Sequence, residues 1–205
     1  MLSVDAMKAE VAKALADVLN AIQVQFRDCF DRLTEKNQLK LPKKKSEGAL
    51  YEITDSASLD KVPNAPGFYV IFSSWPMANE DCKLTLSDGR RAIYRGEGRF
   101  VRRRLESHLF NATHHKLHRQ RVKSNPSEPN YRVCMKIQDG TNGVNLDKPP
   151  YDKERWAVLF IRLSESSSLI RKQAEIAFDR RFGQPAASRD VARKVKDARE
   201  QLALT

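Results

Sequence analysis

Four polar side chains in the middle of the chain have the types and the spacing needed to act on a phosphate group. Tyr69 and Tyr94 each stand in a short apolar run that is typical of a strand. Arg104 and His108 follow, and their spacing of four places them on one face of a predicted helix. A guanidinium binds a phosphate through two hydrogen bonds, and an imidazole exchanges a proton near neutral pH. Together with a phenol, these groups could hydrolyse a phosphodiester.

A single carboxylate, Glu175, completes this set. It lies in the middle of a helix predicted over residues 168–182, beside the apolar face of that helix. One carboxylate, with waters and substrate phosphate oxygens, is a normal way for a protein to hold Mg²⁺. A solvated glutamate with Arg171 or Asp179 nearby is the alternative interpretation. From the residues alone both interpretations of Glu175 stay open: a ligand of Mg²⁺ (or Mn²⁺) and a surface ion pair.

The elements that must position these residues follow from the periodicity of the apolar side chains. Strands are predicted at 68–72, 91–94, 131–137 and 156–163, and helices at 99–110, 168–182 and beyond 188. A basic linker is predicted over 40–48. Residues 3–36 read as one long helix whose apolar residues recur every three or four positions. That apolar face must pack either on the rest of the chain or on a second copy, which would make a homodimer.

The chain is strongly basic, with a formal net charge of +11 over 205 residues. The excess is concentrated between residues 90 and 123, a segment that also holds all four histidines. Such a segment favours a polyanionic partner, most simply DNA. The residues expected to contact nucleic acid are Arg95, Arg99, Arg102, Arg103, Lys116, Arg119, Arg121 and Lys123.

Several classes of protein are disfavoured. No apolar run approaches the length of a membrane span, so no membrane partner is expected. The first residues lack a basic stretch followed by an apolar one, so no signal peptide is predicted. The three cysteines lie far apart and are odd in number, which is typical of reduced thiols in a cytoplasmic protein.

The order of these motifs resembles the GIY-YIG nuclease family. Gly67-Phe68-Tyr69 corresponds to the first motif and Tyr94-Arg95-Gly96 to the second, followed by Arg-x-x-x-His and then a glutamate on a helix after a buried strand. The resemblance covers roughly residues 65–188. It implies a fold of the α/β (α+β) class, in which helices flank a small mixed sheet with a three-stranded antiparallel core.

The resemblance also implies a role for each residue. Tyr69 and Tyr94 would be the motif tyrosines, with Tyr69 the preferred general base. Arg104 would bind the phosphate, His108 would transfer a proton, and Glu175 would be the single metal ligand.

Three features depart from the family pattern. The two tyrosine motifs are 25 residues apart, which is longer than usual. Arg95 stands where the family has an apolar residue. No asparagine follows the helix that carries the glutamate. Gln184 or Ser188 could replace that asparagine, or the site could be altered.

We therefore expect a GIY-YIG-type, metal-dependent endonuclease that cuts DNA. The predicted organisation is an N-terminal helical region and basic linker over 1–60, a nuclease domain over 61–188, and a C-terminal helix over 189–205. A restriction, phage or repair role stays open. The alternatives are a nucleic-acid-binding protein that has the fold without the chemistry, a structure- or RNA-directed nuclease, and a helix-mediated assembly factor.

Overall fold

The first described element is a long helix, α1 (Val4–Arg32), in a computed structural model that describes residues 3–40, 48–77, 81–110, 135, 137 and 144–188. Ser3 caps the helix, because its side chain accepts a hydrogen bond from the backbone N–H of Ala6. The helix ends before residue 36, the end predicted from the sequence. Two short strands follow it, β1 (Thr34–Glu35) and β2 (Gln38–Leu39), and they form an antiparallel hairpin.

A four-stranded sheet forms the centre of the fold. Its strands are β3 (Ala49–Ile53), β4 (Gly67–Ser73), β5 (Arg91–Gly98) and β6 (Trp156–Arg162). Their order across the sheet is β3-β6-β4-β5, and each of the three pairings is antiparallel. The central strands β4 and β6 are almost entirely buried, as their continuous apolar sequences require.

Two more helices cover the sheet. Helix α2 (Val101–Leu109) follows β5 directly, and helix α3 (Ser168–Phe182) follows β6. Ser167 caps α3 by accepting a hydrogen bond from the backbone N–H of Ile170, and Gly183 ends it with a positive φ of 88°. The bounds predicted for this helix, 168–182, are confirmed.

The two faces of the sheet have separate cores. On one face, Tyr69 and Ile71 of β4 pack with α2 residues such as Leu105. On the other face, Phe68 and Val70 pack with α3 and with the C-terminal half of α1. This second core is aromatic, with rings contributed by Phe30, Phe68, Phe178 and Phe182.

A β-bulge interrupts the pairing of β4 with β5. Ile71 pairs with Tyr94 and Phe72 pairs with Ala92, so Ile93 is an extra residue on β5. Ala92 packs in the core beside α3, whereas Ile93 and Tyr94 both belong to the core beside α2. The bulge therefore shifts the alternation of β5 by one residue, and this shift decides which residues reach each face.

Helix α1 packs on the domain over only part of its length. Leu19 and Phe30 are buried, and Gln23 donates a hydrogen bond to Gln173 of α3. Residues 3–18 are exposed apart from the half-buried Ala6. The C-terminal half of the helix therefore packs on the domain and its N-terminal half is exposed, while packing on a second copy stays a prediction.

The α+β class and the long N-terminal helix are confirmed, but the expectation of a mixed sheet is wrong. The three pairings of the main sheet, β3 with β6, β6 with β4 and β4 with β5, are all antiparallel. Strand β3 was not predicted from the sequence; it lies before the boundary expected at residue 60, yet it forms an edge of the main sheet.

Three predicted elements lie wholly or mostly outside the described residues: the strand at 131–137, the linker at 40–48 and the helix beyond 188. No helix in the described residues is long and apolar enough to cross a membrane.

Candidate active site

The two motif tyrosines lie side by side on the face of the sheet that α2 covers. The ring centroids of Tyr69 and Tyr94 are 6.2 Å apart. The imidazole of His108, on α2, lies 4.4 Å from the ring of Tyr94 and 5.9 Å from that of Tyr69, measured between centroids. The three rings therefore form one buried aromatic cluster where α2 crosses the β4–β5 pair.

The phenol oxygen of Tyr69 is the meeting point of this cluster. Tyr69 Oη lies 2.8 Å from His108 Nε2, which is a full hydrogen bond. Arg104 Nε donates to the same oxygen over 3.4 Å, a longer and weaker contact. Because Arg104 and His108 are one helical turn apart, both can face this oxygen, as the spacing predicted.

The environment of Tyr69 keeps its phenol protonated. Burial away from water raises the pKa of Tyr69 well above its usual value, and the nearby phenol of Tyr94 adds to that shift. The positive charge of Arg104 acts in the opposite direction but does not outweigh burial. A phenolate at Tyr69 is therefore disfavoured near neutral pH, so the group acts as a neutral donor and acceptor.

Two glycines of β5 give these side chains room. A Cβ on Gly96 would lie 2.4 Å from Tyr69 Oη, and a Cβ on Gly98 would lie 2.7 Å from Arg104 Cδ. Both distances are shorter than van der Waals contact, so any larger residue would displace the phenol or the arginine. Gly96 of the second motif is therefore required by the buried phenol of Tyr69, whereas a larger residue at position 98 would displace only the exposed side chain of Arg104.

Glu175 lies on α3, on the other side of β5. The residue is 8% exposed, and burial raises the pKa of Glu175 to about 7, against an opposing effect from Arg95. Arg104 also lowers the pKa of Glu175, and the charge of Glu175 raises that of Tyr69. The carboxylate and the tyrosine cluster are thus close enough to act on each other electrostatically.

A ladder of charged residues joins β5 to α3. Arg95 Nε donates to Asp179 Oδ1 over 2.9 Å, and Arg95 Nη1 lies 3.5 Å from Glu175 Oε1. One turn earlier, Arg171 Nε donates to Glu97 Oε2 over 2.7 Å. We call these five residues the charged ladder. It is buried in part, since Arg95 is only 2% exposed.

The sequence contains a signal for this ladder that the prediction of surface arginines overlooked. Residues 171, 175 and 179 recur every four positions along α3, and residues 95 and 97 alternate along β5. Charges with helix spacing on one element and strand spacing on its neighbour can face each other. Arg95 was instead expected to contact nucleic acid. That expectation is wrong, because its guanidinium is buried against two carboxylates.

The other predicted nucleic-acid contacts differ in their surroundings. Arg99 and Arg103 are exposed at the start of α2. Arg102 is half-buried, and its Nε donates to the backbone oxygen of Val62 over 2.8 Å, while its Nη1 lies 3.3 Å from Asp60. Four further expected contacts lie outside the described residues: Lys116, Arg119, Arg121 and Lys123.

The segment after α3 runs along the edge of β5 that faces away from β4. The backbone N–H of Ala187 donates to the oxygen of Ile93, and the backbone N–H of Arg95 donates to Ser188 Oγ over 2.9 Å. Gln184 Nε2 donates to the backbone oxygen of Ser188 over 2.9 Å. Gln184 and Ser188 are the two residues considered as replacements for the missing asparagine. Ser188 binds the backbone of β5, and Gln184 binds Ser188.

A magnesium ion would fit the donor set, and Glu175 is the carboxylate that would hold it. No group of three or more His, Cys, Asp or Glu side chains in the described residues could hold a metal ion. Mg²⁺ does not need such a group, because it keeps several waters and binds through one or two carboxylates and substrate phosphates. Glu175 suits this role because a desolvated carboxylate gains from a neighbouring cation.

No protein family model, curated protein or solved structure matches this chain at a significant level. Any assignment of function therefore rests on the geometry of the chain's own residues.

Proposed function

We propose that this chain is a metal-dependent endonuclease that hydrolyses DNA phosphodiester bonds with a GIY-YIG-type site. The observation that carries the proposal is the position of Tyr69 Oη, which lies 2.8 Å from His108 Nε2 and 3.4 Å from Arg104 Nε. A phenol held between a proton acceptor and a phosphate-binding cation is suited to activating a water beside a phosphate.

Arg104 binds the scissile phosphate in this proposal. Its side chain is exposed and lies across Gly98, and its contact with Tyr69 Oη is long. A phosphate offers a guanidinium two charge-assisted hydrogen bonds, which are stronger than that contact. Substrate binding therefore draws Arg104 away from Tyr69 and opens the buried phenol to the attacking water.

The proton moves through Tyr69 without forming a stable phenolate. Water gives a proton to Tyr69 Oη while the phenol proton passes to His108 Nε2, so the phenol stays neutral overall and His108 gains the charge. This relay is supported by the raised pKa of Tyr69 and by the short distance between the two atoms. The role of general base, expected for Tyr69 alone, is thus shared between Tyr69 and His108 in this mechanism.

Glu175 would hold Mg²⁺ (or Mn²⁺), and the bound ion would supply positive charge to the phosphate oxygens. Arg95 Nη1 lies 3.5 Å from Glu175 Oε1 and helps to keep the carboxylate in place. The net charge of +11 and the exposed side chains of Arg99 and Arg103 favour a polyanionic substrate beside α2.

A second candidate is a nucleic-acid-binding protein without catalysis. It is favoured by one observation: Arg95 already partly neutralises Glu175, which a bound cation would otherwise do. A carboxylate that lies beside a fixed guanidinium attracts Mg²⁺ less than an isolated carboxylate does. Metal-dependent cleavage that requires Glu175 separates the two functions.

The test is a plasmid-cleavage assay with Mg²⁺ or Mn²⁺ and a control without metal, comparing wild type with Glu175→Gln. Glu165→Gln makes the same chemical change on an exposed carboxylate and serves as the matched control. We expect wild type and Glu165→Gln to cut, and Glu175→Gln to bind DNA without cutting. Parallel RNA and branched-DNA substrates distinguish an RNA- or structure-directed nuclease. Intact but shifted DNA with every variant would support the binding protein instead.

A further inference from the structure

The N-terminal half of α1 presents an uncovered row of apolar side chains. Six of the eight large apolar side chains that are exposed in the described residues lie on this helix. Five of the six follow one stripe along its first half, and we call them the apolar row: Val4, Met7, Val11, Leu15 and Val18. Val4 and Val11 are the most exposed, at 69% and 68%.

The apolar row extends past the end of the helix that supports α1. Helix α3 runs parallel to α1, and contacts of Gln23 with Gln173 and of Asp31 with Arg181 have the same offset of 150 residues. That offset places Ser168, the first residue of α3, level with Val18. An unsupported helix of this length is marginally stable in water, so its apolar face is expected to pack on a partner.

The charge of this half-helix argues against a nucleic acid or a membrane as the partner. Between residues 3 and 18 the acidic side chains outnumber the basic ones, three to two, in a chain whose net charge is +11. Helices that lie on anionic membranes, like surfaces that bind nucleic acid, are rich in lysine and arginine. A protein with an apolar face is the partner that fits.

The spacing of the apolar row points to a second copy of the same helix. The intervals between its members are three, four, four and three, so the row is symmetric about Val11. A two-fold interface uses the same patch on both subunits and therefore needs such a self-complementary pattern. We propose that two copies of this chain pair antiparallel through the apolar row. Val11 then lies against the partner's Val11, Val4 against the partner's Val18, and Met7 against the partner's Leu15.

The size of the apolar row fits a reversible dimer. Its five side chains expose roughly 500 Å² in each copy, the size of patch that marks interaction sites on soluble proteins. Pairing would bury about 1,000 Å² in total, which is near the lower limit for a specific interface. We therefore expect a dimer that forms in the micromolar range and dissociates on dilution. This inference does not depend on the proposed nuclease activity.

Disulfide trapping tests the register of the pair. Val11→Cys is oxidised and run on a non-reducing gel beside wild type, which reports background from the native cysteines, and beside Ala9→Cys on the opposite face of α1. An antiparallel pair centred on residue 11 predicts a crosslinked dimer for Val11→Cys alone. Val4→Cys should crosslink only when mixed with Val18→Cys, because two copies of residue 4 would lie about 21 Å from each other, beyond the reach of a disulfide.

Sedimentation velocity tests whether the dimer exists in solution. Wild type and Ala9→Asp are expected to show a concentration-dependent dimer and the same circular dichroism spectrum. Val11→Asp is expected to be monomeric and to lose no more helical signal than the unsupported half of α1 contributes. A monomer at every concentration for wild type would overturn the proposal. So would crosslinking of Val4→Cys with itself, which indicates parallel pairing, or dimers of Val11→Asp equal to those of wild type.

Discussion

The two sides of strand β5 bury polar side chains in different ways. On the side of α2, Tyr69 and His108 bury a phenol and an imidazole that share one short hydrogen bond. On the side of α3, the charged ladder buries Arg95 against the carboxylates of Glu175 and Asp179. On the second side, the loss of one partner leaves a buried charge unpaired, which costs more than the loss of one hydrogen bond.

This difference separates chemistry from stability. A phenol and an imidazole joined over 2.8 Å are placed to exchange a proton, so we expect changes there to affect activity more than folding. A buried guanidinium that loses its partners, or carboxylates that lose theirs, must be desolvated without compensation. Changes in the charged ladder are therefore expected to affect folding first. Substitutions on each side of β5 test whether activity and stability depend on different residues, and the largest expected effect on activity is at Tyr69.

Tyr69→Phe should remove activity and leave the fold intact. It deletes only the phenol oxygen that contacts His108 and Arg104, so we expect the rate of DNA cleavage to fall about 10²- to 10⁴-fold. The free energy of unfolding should fall by about 1–3 kcal/mol, because the buried imidazole of His108 loses one hydrogen-bond partner. Single-turnover cleavage and urea unfolding measure the two effects, with Tyr51→Phe on β3 as the control. Cleavage at the wild-type rate would contradict the role of this phenol.

Arg95→Met should have the opposite signature. It leaves the buried carboxylates of Asp179 and Glu175 without their guanidinium, so we expect unfolding to become easier by about 3–5 kcal/mol. Adding Asp179→Asn should recover part of this loss, because it removes one unpaired charge. Arg99→Met, an exposed change just beyond β5, should stay within about 0.5 kcal/mol of wild type in urea unfolding. Equal effects of Arg95→Met and Arg99→Met would show that the charged ladder does not stabilise the fold.

The pH dependence of stability should report Glu175. The pKa of this group is raised from 4.5 to about 7 in the folded chain, so the unfolded chain releases the proton first as the pH rises. Its contribution to stability is therefore present below pH 4.5 and is lost between pH 4.5 and about 7, by about 3 kcal/mol. Glu175→Gln lacks this loss, so the difference between wild type and the variant in urea unfolding should change across that range. If the free energies of unfolding of wild type and Glu175→Gln changed in parallel with pH, the raised pKa would not belong to Glu175.

The exposed arginines at the start of α2 should have the smallest effects. Arg99→Ala and Arg103→Ala are each expected to weaken DNA binding several-fold and to reduce the slope of log affinity against log salt by about 0.9. Neither change should depend on the DNA sequence. Arg155→Ala, which removes an exposed arginine paired with Asp88, is the control. A salt titration of DNA binding measures the slopes, and identical slopes for all four proteins would exclude α2 from the DNA interface.

Much of the tyrosine side could be predicted from local patterns. The strands around Tyr69 and Tyr94 follow from apolar runs, and the shared face of Arg104 and His108 follows from a spacing of four. The structure does bring these residues to one place, while their catalytic roles stay predictions. The α3 side was mispredicted at Arg95, because a basic residue in a basic segment resembles a surface residue until its partners on a distant helix are known.

Helix α1 shows a similar limit. Its apolar periodicity predicted a buried face, but periodicity does not tell which neighbour buries it. Where α3 begins, at Ser168, decides that only the C-terminal half of α1 packs on the domain. The rest of the stripe stays exposed, and it is the surface through which we propose that two copies pair.

The sequence by itself determined the three helices and three of the four strands of the main sheet, because local periodicity and end signals such as Ser167 and Gly183 depend on neighbours in the chain. The tertiary structure alone decided which side chains of β5 face α2 and which face α3. Strict alternation from Ala92 would have sent Tyr94 toward α3 and Arg95 toward Tyr69. The bulge at Ile93 reverses this. Such a shift has no local signature, because its energy comes from packing against α2 and α3 on both faces of the sheet at once.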